Sequence, residues 1–187
     1  MKYIIFILVL SGLAGCDRIA GSKQPADALD AEWKVFSTSE YSISYPETWE
    51  FDNSGGDGSA FFIIAGRDEP EDAFRENISL TVKDLSGFCN DLAVFTDMTL
   101  SQTKKEVKNA VFSEVIKLTG SDGETESVVF SGDYGDLRLQ WKQYYKIAGS
   151  QAYILTFSAQ KHKYTDYLKV ADKVFNSFHL KGSAAAN

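Results

Sequence analysis

The sequence has few of the residues from which catalytic and metal sites are most often built. Its 187 residues include two histidines and two cysteines. His162 and His179 do not form an HExxH motif, and no Cys/His spacing matches a zinc site. The chain also lacks a GxSxG nucleophile elbow and the GK[ST] sequence of a P-loop. We therefore expect a protein that is not an enzyme, with no catalytic residue, no metal ligand and no cofactor.

Basic residues are scarce relative to acidic ones. The chain has 19 Lys and Arg against 26 Asp and Glu, a formal net charge of −7 and a pI of about 4.9. A nucleic-acid-binding domain needs a basic face, so this balance argues against a nucleic-acid partner. It also argues against electrostatic adhesion to anionic lipids.

The N-terminal apolar run is too short to span a membrane permanently. About 12 apolar residues follow Lys2, whereas a transmembrane helix needs roughly 20. The run YIIFILVL is followed by the small residues of SGLAG. A positive residue, a short apolar region and a small-residue processing site are typical of a secretory signal peptide. We predict that residues 1–15 are such a peptide.

The processing site itself contains a cysteine. Leu13-Ala14-Gly15-Cys16 resembles the lipobox of bacterial lipoproteins, in which the cysteine becomes the acylated first residue of the mature chain. The resemblance implies a membrane anchor through acyl chains, such as palmitate, on Cys16, because two or more chains give stable attachment. Asp17 matches the acidic sorting signal of enteric lipoproteins. The resemblance thus implies a periplasm-facing protein in the inner rather than the outer membrane. The alternative is a plain secreted protein with an incidental cysteine.

Cys89 is the only other thiol, so acylation of Cys16 leaves no intramolecular disulfide. We interpret Cys89 as a structural rather than a reactive thiol, since no basic neighbour favours the thiolate. Residues 16–32, which include the lipidated cysteine, have few large apolar side chains, so we predict a flexible tether there. Residues 33–181 are predicted to form one domain, followed by a disordered tail over 182–187.

Hydrophobic periodicity predicts the elements of this domain. Tyr41 and Ile43 alternate with serines up to Pro46, as in a half-buried strand. Two segments, 91–107 and 162–178, have helical spacing, and the second is strongly amphipathic. The predicted strands are 41–45, 60–65, 77–83, 110–118, 126–134, 137–147 and 152–159. An α+β fold follows, in which helices pack on an antiparallel sheet.

Three stretches in this order resemble the PsbP-like family, including its DcrB-type bacterial lipoproteins. They are YSISYPETWE, ENISLTVKDL and the closing AYILTFSAQKHKYTDYLKVADKVFNSFHL. The resemblance covers residues 33–181 and implies an α/β/α sandwich built on an antiparallel sheet. It also implies an accessory or binding module rather than a catalyst. No binding residue can be transferred, because no motif here matches an established site.

Two functions follow as hypotheses. The first is a membrane-anchored, non-catalytic envelope lipoprotein that interacts with another envelope protein. The second is a periplasmic module for a small ligand or metal, using the acidic 52–59 loop or an aromatic pocket near Tyr144, Tyr145 and Tyr153. The 52–59 loop lacks the spacing of an EF-hand, which favours a plain hairpin loop. The acidic segment 68–72 could attract a cation or a basic partner, although a solvated connection is favoured.

Overall fold

The computed structural model describes residues 25–88, 90–120 and 122–181. The helices are α1 (Pro25–Asp30), α2 (Leu92–Glu106) and α3 (Tyr164–Asn176). The strands are β1 (Trp33–Ser37), β2 (Tyr41–Pro46), β3 (Glu50–Asp52), β4 (Phe61–Ile64), β5 (Asn77–Asp84), β6 (Lys108–Phe112), β7 (Ile116–Gly120), β8 (Gly123–Tyr134), β9 (Leu137–Ala148), β10 (Gln151–Gln160) and β11 (His179–Leu180). One 3₁₀ turn, Gly56–Gly58, lies between β3 and β4.

Eight strands form one antiparallel sheet in the order β3-β4-β5-β10-β9-β8-β6. The eighth, β7, pairs with the other end of β8. Two-residue turns join β8 to β9 and β9 to β10. Gly135 and Gly149 have φ angles of +57° and +58° in these turns, a left-handed conformation that favours glycine.

A second, three-stranded sheet has the order β1-β2-β11. The sequence predicted β2 but neither of its partners. The pattern of β1 is weak because its side chains are half-buried or exposed, and β11 has only two residues. Both strands therefore depend on tertiary pairing rather than on local periodicity.

The large sheet separates two hydrophobic cores. One face carries alternate side chains of β5 and β10, such as Leu80 and Leu155, beneath α3 and the small sheet. The other face carries Trp141 and Tyr145 of β9, which pack with Phe95 of α2. Side chains of a strand alternate between faces, so adjacent residues enter different cores. The α+β fold with helices on an antiparallel sheet is confirmed.

The predicted strand over 110–118 is divided in the structure. Its first part belongs to β6 and its second to β7, with residues 113–115 between them. Asn109 has a positive φ of 51°, and the register with β8 shifts between Lys108 and Val111. This irregularity interrupts the edge of the sheet, which makes it a poorer template for unwanted strand pairing.

The predicted tether needs a correction at its C-terminal end. Residues 25–30 form α1 instead of a flexible chain, and Ala28 is buried at 2% exposure. Ala28 and Leu29 pack into the same core as α3, which stabilises this short helix. The folded unit thus includes residue 25 rather than starting at 33. The predicted signal peptide over 1–15, Cys16, Asp17, Cys89 and the predicted tail over 182–187 lie outside the described residues.

Candidate functional site

Three carboxylates meet where the β4–β5 loop crosses the β10–α3 turn. Asp68 and Asp72 lie in the loop, and Glu76 immediately precedes β5. One oxygen of each carboxylate lies within 4.8 Å of one oxygen of each of the others. Asp72 and Glu76 are buried, and Asp68 is half-buried. Carboxylates this close repel one another unless a cation or a proton is present.

The ammonium group of Lys163 supplies one positive charge to this cluster. Its Nζ lies 2.8 Å from Asp68 Oδ2 and 2.8 Å from Asp72 Oδ2. Partial burial opposes the charged form, but the hydrogen bonds to both aspartates prevail and raise the pKa of Lys163. The lysine immediately precedes the first helical residue of α3, and its side chain is 19% exposed. It therefore stays protonated and links the loop to the helix.

Further donors reach the carboxylates from β10 and α3. The Tyr167 hydroxyl donates to Asp68 Oδ1 at 2.5 Å, and the Gln160 side-chain amide donates to Asp72 Oδ1 at 3.1 Å. The Gln160 backbone N–H donates to Glu76 Oε1 at 3.1 Å. Burial, together with its bond to Asp68, raises the pKa of Tyr167 and keeps the phenol protonated.

Glu76 differs from the two aspartates because one of its oxygens has no donor. The residue is 0% exposed, and its Oε2 is buried without a hydrogen-bond partner. Desolvation raises the pKa of Glu76 to about 7, although the Gln160 N–H opposes the shift. A buried carboxylate oxygen without a partner is costly, so this atom would gain from a proton or a cation.

A pocket of about 490 Å³, open to solvent, lies over the aspartates. Its charged lining is mostly acidic: Asp68, Glu69, Glu71, Asp72 and Asp166 against Lys163, with His162 also present. A concave surface of one sign concentrates ions of the opposite sign. The pocket can therefore attract cations.

Part of this site lies in the acidic segment 68–72, which the sequence did not identify as a binding site. The segment 68–72 was expected to be a solvated connection, but Asp72 is buried and Asp68 is half-buried against α3. Glu76, Lys163 and Tyr167 were not predicted. Lys163 and Asp72 are 91 residues apart, so no local pattern could have paired them. The helix-end histidines are both exposed, and His162 lies at the pocket.

The structure bears on the two places where the sequence allowed a ligand, the 52–59 loop and the group of three tyrosines. In the 52–59 loop, the Asp52 carboxylate accepts from the Ser54 backbone N–H at 2.8 Å, an ordinary turn contact. The three tyrosines do not line one pocket. Tyr145 lies in the core beneath α2, whereas Tyr144 and Tyr153 pack on the side of α3. Adjacent residues of β9 face opposite sides of the sheet, which separates Tyr144 from Tyr145.

A second concave surface lies along α2 and the turn after β5. This α2 groove has a volume of about 480 Å³. Phe88, Val94 and Met98 contribute to it and are 50%, 45% and 53% exposed. Asp97 and Lys105 add one charge of each sign. The groove is thus an exposed, mainly apolar surface.

The chain matches no protein-family model and no curated protein. Solved structures with a similar fold exist. Cyanobacterial PsbP (CyanoP) from Synechocystis sp. PCC 6803 aligns with a TM-score of 0.54 at 14% identity, over 91% of this chain and 98% of its own. LpqN, described as involved in cell envelope biogenesis of Mycobacterium tuberculosis, aligns with a TM-score of 0.53 at 12% identity, over 85% and 98%.

A third structure, the protein of unknown function PA94 from Pseudomonas aeruginosa, gives a TM-score of 0.56 at 9% identity. The alignment covers 79% of this chain and 96% of PA94. At such identities the likeness concerns the fold alone. The resemblance to PsbP-like proteins is confirmed at that level, and the chain has a PsbP-like fold. Among the described residues, none of the helices is long and apolar enough to cross a membrane.

Proposed function

We propose that this protein is a membrane-anchored, non-catalytic envelope lipoprotein of DcrB type that binds another envelope protein through the α2 groove. The observation that carries the proposal is the exposure of Phe88, Val94 and Met98 on one concave surface. Exposed apolar patches of this kind are typical of protein-interaction sites. The expected partner presents an apolar segment, because the groove has few charges and these are of opposite sign.

The position of the tether supports this use of the groove. The described chain starts at Pro25, and α1 packs with α3 on one side of the large sheet. The groove is formed by α2, on the opposite side. A lipid on Cys16 would be joined to the domain through the start of α1, on the side of the sheet opposite the groove. The apolar side chains are then available to a protein partner.

The anchor is tested by the Cys16→Ala substitution. We expect the acyl mass to be absent from the protein and membrane association to be lost, whereas Cys89→Ala retains both. The assay is intact-mass spectrometry of the purified protein together with membrane fractionation. An Asp17→Ser variant should move from the inner to the outer membrane fraction if Asp17 is the sorting signal. An unchanged mass and fractionation of Cys16→Ala would contradict the lipoprotein assignment.

The interaction is tested by a photo-crosslinking amino acid at position 98 in intact cells. The matched control is the same crosslinker at Lys169, an exposed position of α3. We expect one defined adduct from position 98, its loss when Val94 is also changed to Asp, and no such adduct from position 169. Identical mixtures of abundant proteins from both positions would rule out the α2 groove as the binding surface.

A further inference from the structure

The six oxygens of the Asp68, Asp72 and Glu76 carboxylates are not equally satisfied. Asp68 Oδ1, Asp72 Oδ1 and Glu76 Oε1 accept hydrogen bonds from neutral donors. Asp68 Oδ2 and Asp72 Oδ2 both contact the Lys163 ammonium, and Glu76 Oε2 has no partner. In each carboxylate, one oxygen therefore contacts the ammonium or lacks a partner, while the other oxygen accepts a hydrogen bond from a neutral donor.

The spacing of the carboxylates suits a hard divalent cation. Ca²⁺ binds oxygen ligands at roughly 2.3–2.6 Å, so two ligands on opposite sides of it are roughly 4.6–5.2 Å apart. The cluster has one oxygen from each carboxylate within 4.8 Å of the others. Mg²⁺ takes ligands at roughly 2.0–2.1 Å and demands near-ideal octahedral geometry, so Ca²⁺, which tolerates irregular shells, is better suited to carboxylates whose other oxygens are already held by hydrogen bonds. Solvent in the adjoining pocket can supply the remaining ligands of the larger ion.

We propose that Asp68, Asp72 and Glu76 form a Ca²⁺-type cation site in which the Lys163 ammonium takes the place of the metal until the ion displaces it. Two of the carboxylates contact the Lys163 ammonium, and the Arg67 guanidinium beside them donates to the backbone carbonyl of Asp72. Three ionised carboxylates still exceed these two positive charges. Glu76 Oε2, fully buried and without a hydrogen-bond donor, becomes a ligand of the ion when it binds.

The Lys163 side chain lies where it can move away from the aspartates. It precedes the first residue of α3, and its side chain is 19% exposed. Its aliphatic stem can therefore turn the ammonium into the pocket while the backbone remains where it is. The ammonium then stays near Asp166 and Glu71, which also line the pocket. Lys163 thus acts as an internal competitor that weakens cation binding.

The test is calorimetric titration of the full chain with CaCl₂, followed by thermal unfolding with and without the ion. We expect a dissociation constant of roughly 10⁻⁴–10⁻³ M, the range of extracellular Ca²⁺ modules, and a Ca²⁺-dependent rise in Tm. Lys163→Met should bind at least about tenfold more tightly, because the competitor is removed. Glu76→Gln should bind at least about tenfold more weakly, because a neutral amide replaces a carboxylate ligand.

Glu114→Gln is the control, because it removes one exposed carboxylate of the β6–β7 connection and should leave Ca²⁺ affinity unchanged. A purely structural role for Lys163 predicts a lower Tm of Lys163→Met and no Ca²⁺ binding by any variant. Absence of binding to both the wild-type chain and Glu114→Gln at up to about 10 mM Ca²⁺ would overturn the proposal. The proposal would also be overturned if wild type and Glu76→Gln had equal Ca²⁺ affinities, or if the protein bound Mg²⁺ more tightly than Ca²⁺. These outcomes are independent of the partner expected at the α2 groove.

Discussion

The two long helices lie on opposite faces of the same sheet but differ in how completely they are packed. In α3, six of 13 residues are buried, and the apolar side forms a continuous stripe. In α2, three of 15 residues are buried and two of those are threonines, while Val94 and Met98 are exposed. The difference indicates that α3 mainly stabilises the fold, whereas α2 leaves apolar surface available for contacts with other molecules.

The largest effect is expected at the centre of the α3 interface. Phe175 is 3% exposed, and its ring meets that of Tyr144 edge-on with centroids 4.7 Å apart. Phe175→Ala should lower the free energy of unfolding by about 3–5 kcal/mol, because it removes a buried ring and leaves a cavity. Urea denaturation followed by circular dichroism measures this loss. A cost below about 1 kcal/mol would mean that α3 is not the stabilising helix.

Both helices could be predicted from the sequence despite this contrast in packing. The predicted segments 91–107 and 162–178 exceed α2 by one residue and α3 by two residues at each end. The threonines of α2 weaken its pattern, yet they fit the helix. The Thr99 and Thr103 hydroxyls donate to the backbone carbonyls of Phe95 and Thr99, four residues earlier. Local hydrogen bonding thus replaces part of the apolar periodicity.

What the sequence could not predict depends on distant contacts. The helix α1 is stabilised by packing against α3. Strand β11 pairs with β2, which lies near the other end of the described sequence. The acidic site brings Asp72 together with Lys163, from segments 91 residues apart. Composition and spacing describe neighbours along the chain. They identified Asp68 and Asp72 as acidic but could not show that the end of β10 and the start of α3 bring hydrogen-bond donors to them.

The second-largest effect concerns Glu76, beside the N-terminal end of α3. Its raised pKa of about 7, against an ordinary value of 4.5, means that folding favours the protonated acid. The associated stability is present below about pH 4.5 and is lost as the pH rises through 7. Glu76→Gln should therefore be more stable than wild type at pH 8, by up to about 3 kcal/mol, and nearly equal to it close to pH 4.5.

Thermal unfolding in metal-free buffer at pH 5 and pH 8 measures this difference. Glu71→Gln is the matched control, because Glu71 lies in the same loop but is exposed. It should show little change at either pH. A Glu76→Gln variant that is less stable than wild type at pH 8 would show that the ionised carboxylate is well accommodated, contrary to its burial and unpartnered oxygen.

An intermediate effect is expected where the C-terminal end of α2 meets the sheet. A Cβ at Gly132 of β8 would lie 2.3 Å from Val107 Cγ1 and 2.9 Å from the Lys108 carbonyl oxygen. Gly132→Ala should cost about 1–3 kcal/mol, because the start of β6 must shift. Gly66→Ala, where nothing lies within 4 Å of the added carbon, is the control in urea denaturation. If Gly132→Ala were as stable as Gly66→Ala, α2 would be loosely packed even at its C-terminal end.

The smallest effect on stability is expected on the exposed side of α2. Val94 and Met98 are 45% and 53% exposed, so Val94→Ala and Met98→Ala should each change the free energy of unfolding by no more than about 0.5 kcal/mol. Val174→Ala in α3 is the matched comparison, since Val174 is 0% exposed and its loss leaves a buried cavity. If the two valine variants proved equally destabilising in urea denaturation, the apolar side chains of α2 would be part of the core. If only Val174→Ala is destabilising, the folded state does not need the apolar side chains of the groove, which agrees with their use in binding a partner.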